Sequence, residues 1–327
     1  MEGYNKVVLP VPFRIHSFVT EFGRMYEEKS KHSFGGGFGF SVSTGNYFIV
    51  QRSEKRVVKA PYKNVIGRYI DLFKEIYEFD GEFTIELKEE FPKHSGFGST
   101  IVMITTTCAA LNILLGNKFS KMDLNMLIFE NYCEEDFDGI VVDALTSGIG
   151  ALVMLYGGII YMDNGYSFVR TEFMENQEVL LFTTFKKDET KQFDVHDEFE
   201  LSNEYIQSDL IAKEQKIEMI HKKLIPAMLC RDFEGMGVSN DALNEIGSGY
   251  IDAKQYEYDK QQRLFKLLRD AGATLVGISS AGPTAYALID KSQRNEMKDI
   301  LLREGIKSET IRVYEVDNRG LYACECE

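Results

Sequence analysis

Phe91-Pro92-Lys93-His94-Ser95-Gly96-Phe97-Gly98-Ser99-Thr100 runs without a break into Ile101-Val102-Met103-Ile104, the start of an apolar stretch that lasts to Leu115 and stops at Gly116. The glycines predict a turn and the apolar run a helix, with Ser99 as its N-cap and Gly116 as its stop. Free N–H groups and the helix dipole make such a start an anion site. Glycine lets the main chain approach phosphate oxygens without a side-chain clash. Taken alone, a glycine turn before a helix is ordinary structure. The stretch is not the GxxxxGK-Ser/Thr phosphate loop, because no Lys follows, and it lacks the dinucleotide-binding spacing.

Upstream, Val7-Val8-Leu9 leads through Pro10 and Pro12 to Phe13-Arg14-Ile15-His16, which reads as a short strand with an exposed polar end. Arg14 offers a planar fork for carboxylate or phosphate, and His16 a proton carrier near neutral pH. In residues 33–42 Phe38, Phe40 and Val42 alternate with small residues, a strand of little bulk. Glycine inside a strand marks close approach of a ligand or of another backbone. Residues 47–51 read as a further strand, 64–77 as a helix, and Phe83, Ile85 and Leu87 as one face of a half-buried strand.

Downstream, Thr146-Ser147-Gly148-Ile149-Gly150 opens a second apolar stretch, ending at Gly157-Gly158 before a strand at 159–162. Residues 178–185 read as a buried strand and the polar residues 186–200 as loop. The longest helical pattern covers 202–231, with Pro226 expected to kink or end it. Residues 241–251 and 256–271 also read as helix. A strand at 274–278 precedes Ser279-Ser280-Ala281-Gly282-Pro283-Thr284, two hydroxyls, a glycine and a proline crowded into a turn. Residues 285–288 fit strand or helix equally, and 311–316 read as the last strand. Hairpin-like strand runs followed by late helices give an α+β chain in two parts, divided near Tyr166.

Composition limits the function classes. The chain has 327 residues, and its 37 Lys+Arg against 51 Asp+Glu give a net charge of −14. That balance argues against nucleic acid and against an anionic membrane surface, though not against an anionic small molecule in a locally positive pocket. Residues 1–12 do not read as a signal peptide, and no apolar stretch is long enough to span a membrane. Five scattered cysteines fit reduced thiols in the cytoplasm, with Cys324 and Cys326 as tail thiols. His32, His94, His196 and His221 lack ligand spacing, so no zinc site is proposed and the metal ligands stay unassigned.

In this order the segments resemble the GHMP small-molecule kinase superfamily over nearly the full length. They are Pro12 to Gly39, Phe91 to Thr107 and Gly277 to Leu288. The resemblance implies a two-domain fold: a ribosomal-protein-S5-like N-terminal domain over 1–165 and a ferredoxin-like C-terminal domain over 166–327. Gly96, Gly98, Ser99 and Thr100 would hold a nucleotide or another polyphosphate, with Mg2+. Phe13 to His16, Gly35 to Gly39, Leu145 to Gly150 and Gly277 to Thr284 are similar to one branch, the β-ribofuranosylaminobenzene 5′-phosphate synthases. Those enzymes condense phosphoribosyl pyrophosphate with an aminobenzoate or hydroxybenzoate on the route to a methanopterin-type cofactor, releasing carbon dioxide and pyrophosphate. Arg14 and His16 would then be catalytic. Gly36, Gly37, Ser147, Gly148, Ser279, Ser280, Gly282 and Thr284 would meet substrate.

One departure separates the branches. Family kinases carry an Asp after Ser-Gly-x, seven residues before a Gly-Gly pair, and here that position is Gly150. Asp143 and Asp163 are near in sequence but do not match it. The synthase pattern departs too: its early acidic residue falls in Thr20-Glu21-Phe22-Gly23, Gly35 replaces an Asp, and Leu145 replaces a small residue. The alternatives are an ATP-dependent kinase and a ligand-binding paralogue. The partner is a phosphorylated small molecule, with at most a second copy of the chain in a homodimer. An acidic enzyme holding a polyphosphate has to rely on backbone donors, a divalent metal and a few cations, so the opening charge arithmetic itself predicts magnesium dependence.

Overall fold

A computed structural model describes residues 4–26, 34–89, 98–136, 138–163, 167–185 and 195–327. The proposed division near Tyr166 falls outside these residues. Two long antiparallel strands, Lys6–Phe18 and Gly37–Ser53, form the spine, with Val7 opposite Val50 and Phe13 opposite Val42. The register shifts between Val11 and Pro12, where a proline cannot donate to the ladder. The strand therefore does not stop at a solvated end as the sequence suggests. It continues past His16, which pairs with Gly39 and is buried. Gly39 makes this close pairing feasible: a Cβ there would stand 2.5 Å from the Ile15 carbonyl oxygen. The two strands expected at 33–42 and 47–51 are one.

Glu82–Leu87 alternates buried and half-buried residues, as its period demands, and pairs with Gly37–Ser53. The helices Lys63–Tyr77, Ser99–Leu114, Lys121–Glu130 and Ile149–Tyr156 share the main core with this sheet. Nearly every residue of Ser99–Leu114 is buried, which accounts for its lack of a polar face. The strand Ile159–Met162 pairs with Gly37–Ser53 through Phe40 and Ile159.

The second half is built on four strands. In space they run Leu275–Ile278, Thr284–Asp290, Gln177–Thr183, Arg312–Val316, and all neighbours are antiparallel. The chain order is strand, helix, hairpin, helix, strand, which is the ferredoxin-like arrangement. Residues 285–288 thus resolve as strand. Leu264, Leu268, Met297 and Leu301, from the helices Tyr258–Asp270 and Arg294–Arg303, pack with Leu180 and Ala287 in a core of their own.

An excursion of helices is inserted before Tyr258–Asp270. Val195–Met219 begins inside the stretch read as loop, and residues 186–194 lie outside the described ones. The pattern read from 202 onward is thus extended toward the N-terminus by one polar stretch. A π-helical turn, Ile220–Leu224, follows directly, and then Ile225–Cys230. Pro226 has no N–H and its ring crowds the preceding turn, so the ladder widens just before it. Phe233–Asn244 and Gly247–Lys254 are two helices where one was expected.

Both halves share one eleven-stranded sheet, because Val316 pairs with Val42 and Glu315 with Ser43. Arg312–Val316 is not the last strand: Glu325–Cys326 pairs with Val7 and Val8. All five cysteines are free thiols.

One buried ion pair ties the inserted helices to the spine. Lys216 Nζ lies 2.7 Å from Asp209 Oδ1, and each side chain is 1% exposed. Lys216 also donates to the Val19 carbonyl at 2.9 Å. Asp209 accepts from the N–H groups of Phe22 and Ser248, both at 2.8 Å. Asp209→Ala would leave the ammonium buried without its carboxylate. Urea unfolding should show a loss of roughly 3–5 kcal/mol.

Candidate active site

Arg14 is the centre of the site. It points out of mid-strand toward the starts of two helices. At Gly98, the N-cap of Ser99–Leu114, an added Cβ would lie 2.2 Å from Arg14 Nε. At Gly150, in the first turn of Ile149–Tyr156, it would lie 3.6 Å from the same atom. Arg14 therefore lies against Gly98 and close to Gly150. Both helix starts offer N–H groups that no helical carbonyl accepts. A cation and two positive dipole ends converge, which is an environment for an anion.

Gly98, with φ 64°, takes the cap expected of Ser99, since a left-handed residue at this turn favours glycine. Ser99 becomes the first helical residue, and its hydroxyl lies 2.5 Å from the Tyr62 hydroxyl. Ser99 and Thr100 are both buried. Gly96 and Phe97 lie outside the described residues, and so does His94.

His16 is buried beside Arg14. Its Nε2 lies 3.1 Å from the Phe18 carbonyl, which assigns the proton to that nitrogen. Burial first, and the Arg14 charge second, hold its pKa down to about 3 from 6.5. At neutral pH the ring is uncharged and presents Nδ1 as an acceptor. A proton carrier near pH 7, as the sequence suggested, needs a pKa closer to that pH.

Arg14 and His16 line a cavity of about 100 Å3 with Ser147, Gly150 and Ser280. These five come from segments that the sequence had singled out. Ser280 adopts φ 56° and donates its N–H to the His16 carbonyl at 2.7 Å, so the Ser279–Thr284 turn is docked on the first strand. Ser279 accepts the His16 N–H through its hydroxyl at 3.3 Å and is fully buried. Thr284 begins the following strand, and Gly282 packs on the Tyr256 ring, with Tyr256 donating to the Ala281 carbonyl.

Gly36 and Gly37 are not brought to the cavity wall. A Cβ on Gly36 would stand 2.3 Å from the Asp163 carbonyl oxygen, and one on Gly37 2.4 Å from that of Phe18. Backbone fills the space at both, and a Cβ on Gly37 would also stand 2.9 Å from His16 Nε2. Gly148 likewise lies under the Phe34 ring, 2.0 Å from a would-be Cβ to Cδ1.

The cavity also holds side chains that no motif announced. Glu134 accepts from the Tyr132 hydroxyl at 2.5 Å. Asp252 accepts from the Tyr205 hydroxyl at 2.6 Å. Burial above all, with the Asp209 carboxylate adding to it, pushes Asp252 up to about 7 despite the Tyr205 bond. A single carboxyl in a short helix carries no sequence signal. Asp143 is paired with Arg68 at 3.1 Å and is exposed, while Asp163 faces Arg24 at 3.4 Å. Neither is among the residues lining the cavity. No group of three His, Cys, Asp or Glu among the described residues could by itself hold a metal. No described helix is long and apolar enough to cross a membrane.

Comparisons with known proteins fit this picture. Residues 64–147 match the GHMP kinases N terminal domain, and 255–307 the GHMP kinases C terminal domain. A beta-ribofuranosylphenol 5′-phosphate synthase from Methanothermobacter thermautotrophicus is 26% identical over 241 residues, 66% of this chain and 66% of that one. A mevalonate kinase from Thermococcus onnurineus is also 26% identical, over 77% of this chain and 75% of its own. The crystal structure of mevalonate diphosphate decarboxylase from Staphylococcus aureus superposes with a TM-score of 0.66 at 15% identity, covering 99% of both chains.

Two expectations follow. The unfolded chain protonates His16 below pH 6.5, while the folded chain does so only near pH 3. Unfolding therefore takes up a proton in that window, and stability is greatest above it and falls as pH drops through it. His16→Gln should flatten the slope of unfolding free energy between those two pH values. Gly98→Ala would push a methyl into the Arg14 guanidinium. Calorimetry should show inorganic pyrophosphate bound at least about tenfold more weakly, the loss of one charge-assisted hydrogen bond.

Proposed function

We propose that this chain, which carries both GHMP kinase domains, is a phosphoribosyl-transfer enzyme of the synthase type. It condenses phosphoribosyl pyrophosphate with an aromatic acid, and carbon dioxide and pyrophosphate leave. The observation that carries the reading is at position 150. A kinase needs a carboxylate to orient or deprotonate the attacking hydroxyl. Here that place is a glycine with a guanidinium beside it. A cation held there suits a departing diphosphate or a bound carboxylate.

Departure of pyrophosphate leaves a cationic ribosyl centre, so holding the leaving group is the largest task. The N–H groups at Gly98, Ser99 and Thr100 and the Arg14 fork would do this. Neutral His16 would accept a hydrogen bond from substrate, and Ser280 would close the cavity from the other half.

Magnesium fits the donors present. Glu134 and the hydroxyls around the cavity are oxygen ligands, which suit a hard cation that takes its remaining ligands from phosphate and water. The metal would neutralise charge on the diphosphate. The protein's net charge of −14 gives no long-range attraction for such a ligand, so the local donors have to supply the affinity.

Mevalonate kinases are as similar in sequence as the synthases, which keeps an ATP-dependent kinase as the second reading. Incubation with each donor separates them. Pyrophosphate release that depends on an aromatic acid is expected. ADP formed with an alcohol acceptor, and no pyrophosphate, would overturn the reading. Gly150→Asp places a Cβ in ordinary contact, 3.4 Å from Ile101 and 3.6 Å from Arg14 Nε. Its carboxylate would pair with Arg14 and should cut pyrophosphate release by at least about tenfold.

A further inference from the structure

We propose that Asp252, held by Tyr205, is the proton acceptor of this site, taking the proton of the acceptor substrate's O–H or N–H. The proposal rests on the group-transfer reading above, and it names the carboxylate that Gly150 does not supply.

Five observations carry it. Asp252 lines the cavity with Arg14 and His16, and it also lines a second cavity of about 400 Å3 on its other side. It thus stands in the partition between them, together with Ser17 and Ser280. The Tyr205 hydroxyl donates to Oδ1 at 2.6 Å, which orients the carboxyl. Among the described residues Oδ2 takes no hydrogen bond, so one oxygen is left for substrate. The second cavity mixes Phe265, Val276 and Ile278 with Asn244 and Gln261, walls suited to a flat molecule with polar ends. Gln261 is fully buried and its Oε1 has no hydrogen-bond partner among the described residues, an acceptor waiting for a donor.

The charged and titratable groups around Asp252 are few, and Tyr256, whose hydroxyl the Asp252 charge helps to keep protonated, is one of them. From the long helix come Tyr205 and the Asp209–Lys216 pair, which nearly cancels. The first strand brings Arg14 and neutral His16, and the short strand Cys133–Glu135 brings Glu134. In the second cavity Asp241 and Glu245 are balanced by Arg269 and Lys266. A carboxyl protonating near neutral pH in this setting is matched to taking and returning a proton at physiological pH.

With a phenolic acid as acceptor the step balances as follows. The O–H proton passes to Asp252, and the ring carbon bearing the carboxylate attacks the ribosyl carbon. The carbon–oxygen bond to diphosphate breaks, and diphosphate keeps the electron pair. The ring–carboxylate bond then breaks, carbon dioxide leaves, and that electron pair restores the ring while Asp252 returns the proton to the oxygen. With an alcohol acceptor and ATP, the same carboxylate takes the alcohol proton as the oxygen–phosphorus bond forms and ADP leaves.

Asp252→Asn keeps size and shape, and a thermal melt checks its folding. Its kcat is expected to fall by about 10²–10⁴-fold, with inorganic pyrophosphate binding unchanged. Tyr205→Phe removes a hydrogen bond that favours the charged carboxylate, so the acid limb of kcat/KM should move to higher pH. A merely structural tyrosine would not move it. In the resting protein, a carboxyl infrared band absent from Asp252→Asn should titrate near neutral pH. Wild-type kcat in Asp252→Asn would overturn the proposal. So would a band titrating in the ordinary carboxylate range, or an acid limb lost only in Glu134→Gln. Whether the product is pyrophosphate or ADP decides the reading of the enzyme, and the Asp252→Asn rate decides this proposal with either product.

Discussion

A guanidinium lies against one helix start and beside a second, and much of the structure follows from that. Placing a positive side chain at the positive ends of two dipoles is uphill unless an anion joins them. The arrangement also needs one position with no Cβ, Gly98, where a methyl would meet the guanidinium, while at Gly150 a Cβ would make only ordinary contact. A carboxylate at 150 would pair with the guanidinium and remove the anion's partner, so the site trades a base for a cation.

His16 belongs to the same economy of charge. A protonated imidazole next to Arg14, in a buried strand, would add a second cation with no water to screen it. Burial holds the ring neutral, and its N–H is spent on the Phe18 carbonyl. Proton traffic then has to pass through a carboxyl farther along the wall. The inserted helices supply one in Asp252 and fix its approach through Tyr205 and the Asp209–Lys216 pair.

Much of the fold could be read from periodicity. Residues 63–77 carry a one-sided apolar stripe, Phe83, Ile85 and Leu87 alternate, and the glycine turn before residue 99 begins a wholly apolar helix. What escaped had no local signal. Val195–Met219 starts in polar sequence, Glu325–Cys326 is two residues long, and His16 is buried by a partner strand rather than by its own neighbours. The site divides in the same way. Gly98 and Gly150 stood out because glycines at helix starts are conspicuous, and Arg14 because it offers a planar fork two residues from a histidine. Gly36 and Gly37 stood out as glycines in a strand, and they meet backbone there. Glu134, Tyr205 and Asp252 are common residue types, and only the fold brings them together from distant parts of the chain.

The pairing of Val316 with Val42 has a consequence for motion. Many two-part enzymes open and shut like a jaw about a flexible linker. Here the seam between the halves is main-chain hydrogen bonding, reinforced where Asp317 accepts from the Ser41 hydroxyl at 2.6 Å and from the Gly158 N–H at 2.6 Å. Swinging one half away from the other would tear that ladder. The helices that carry Tyr205 and Asp252 are fastened to that frame as well, through the Asp209–Lys216 pair and its bonds to Val19 and Phe22.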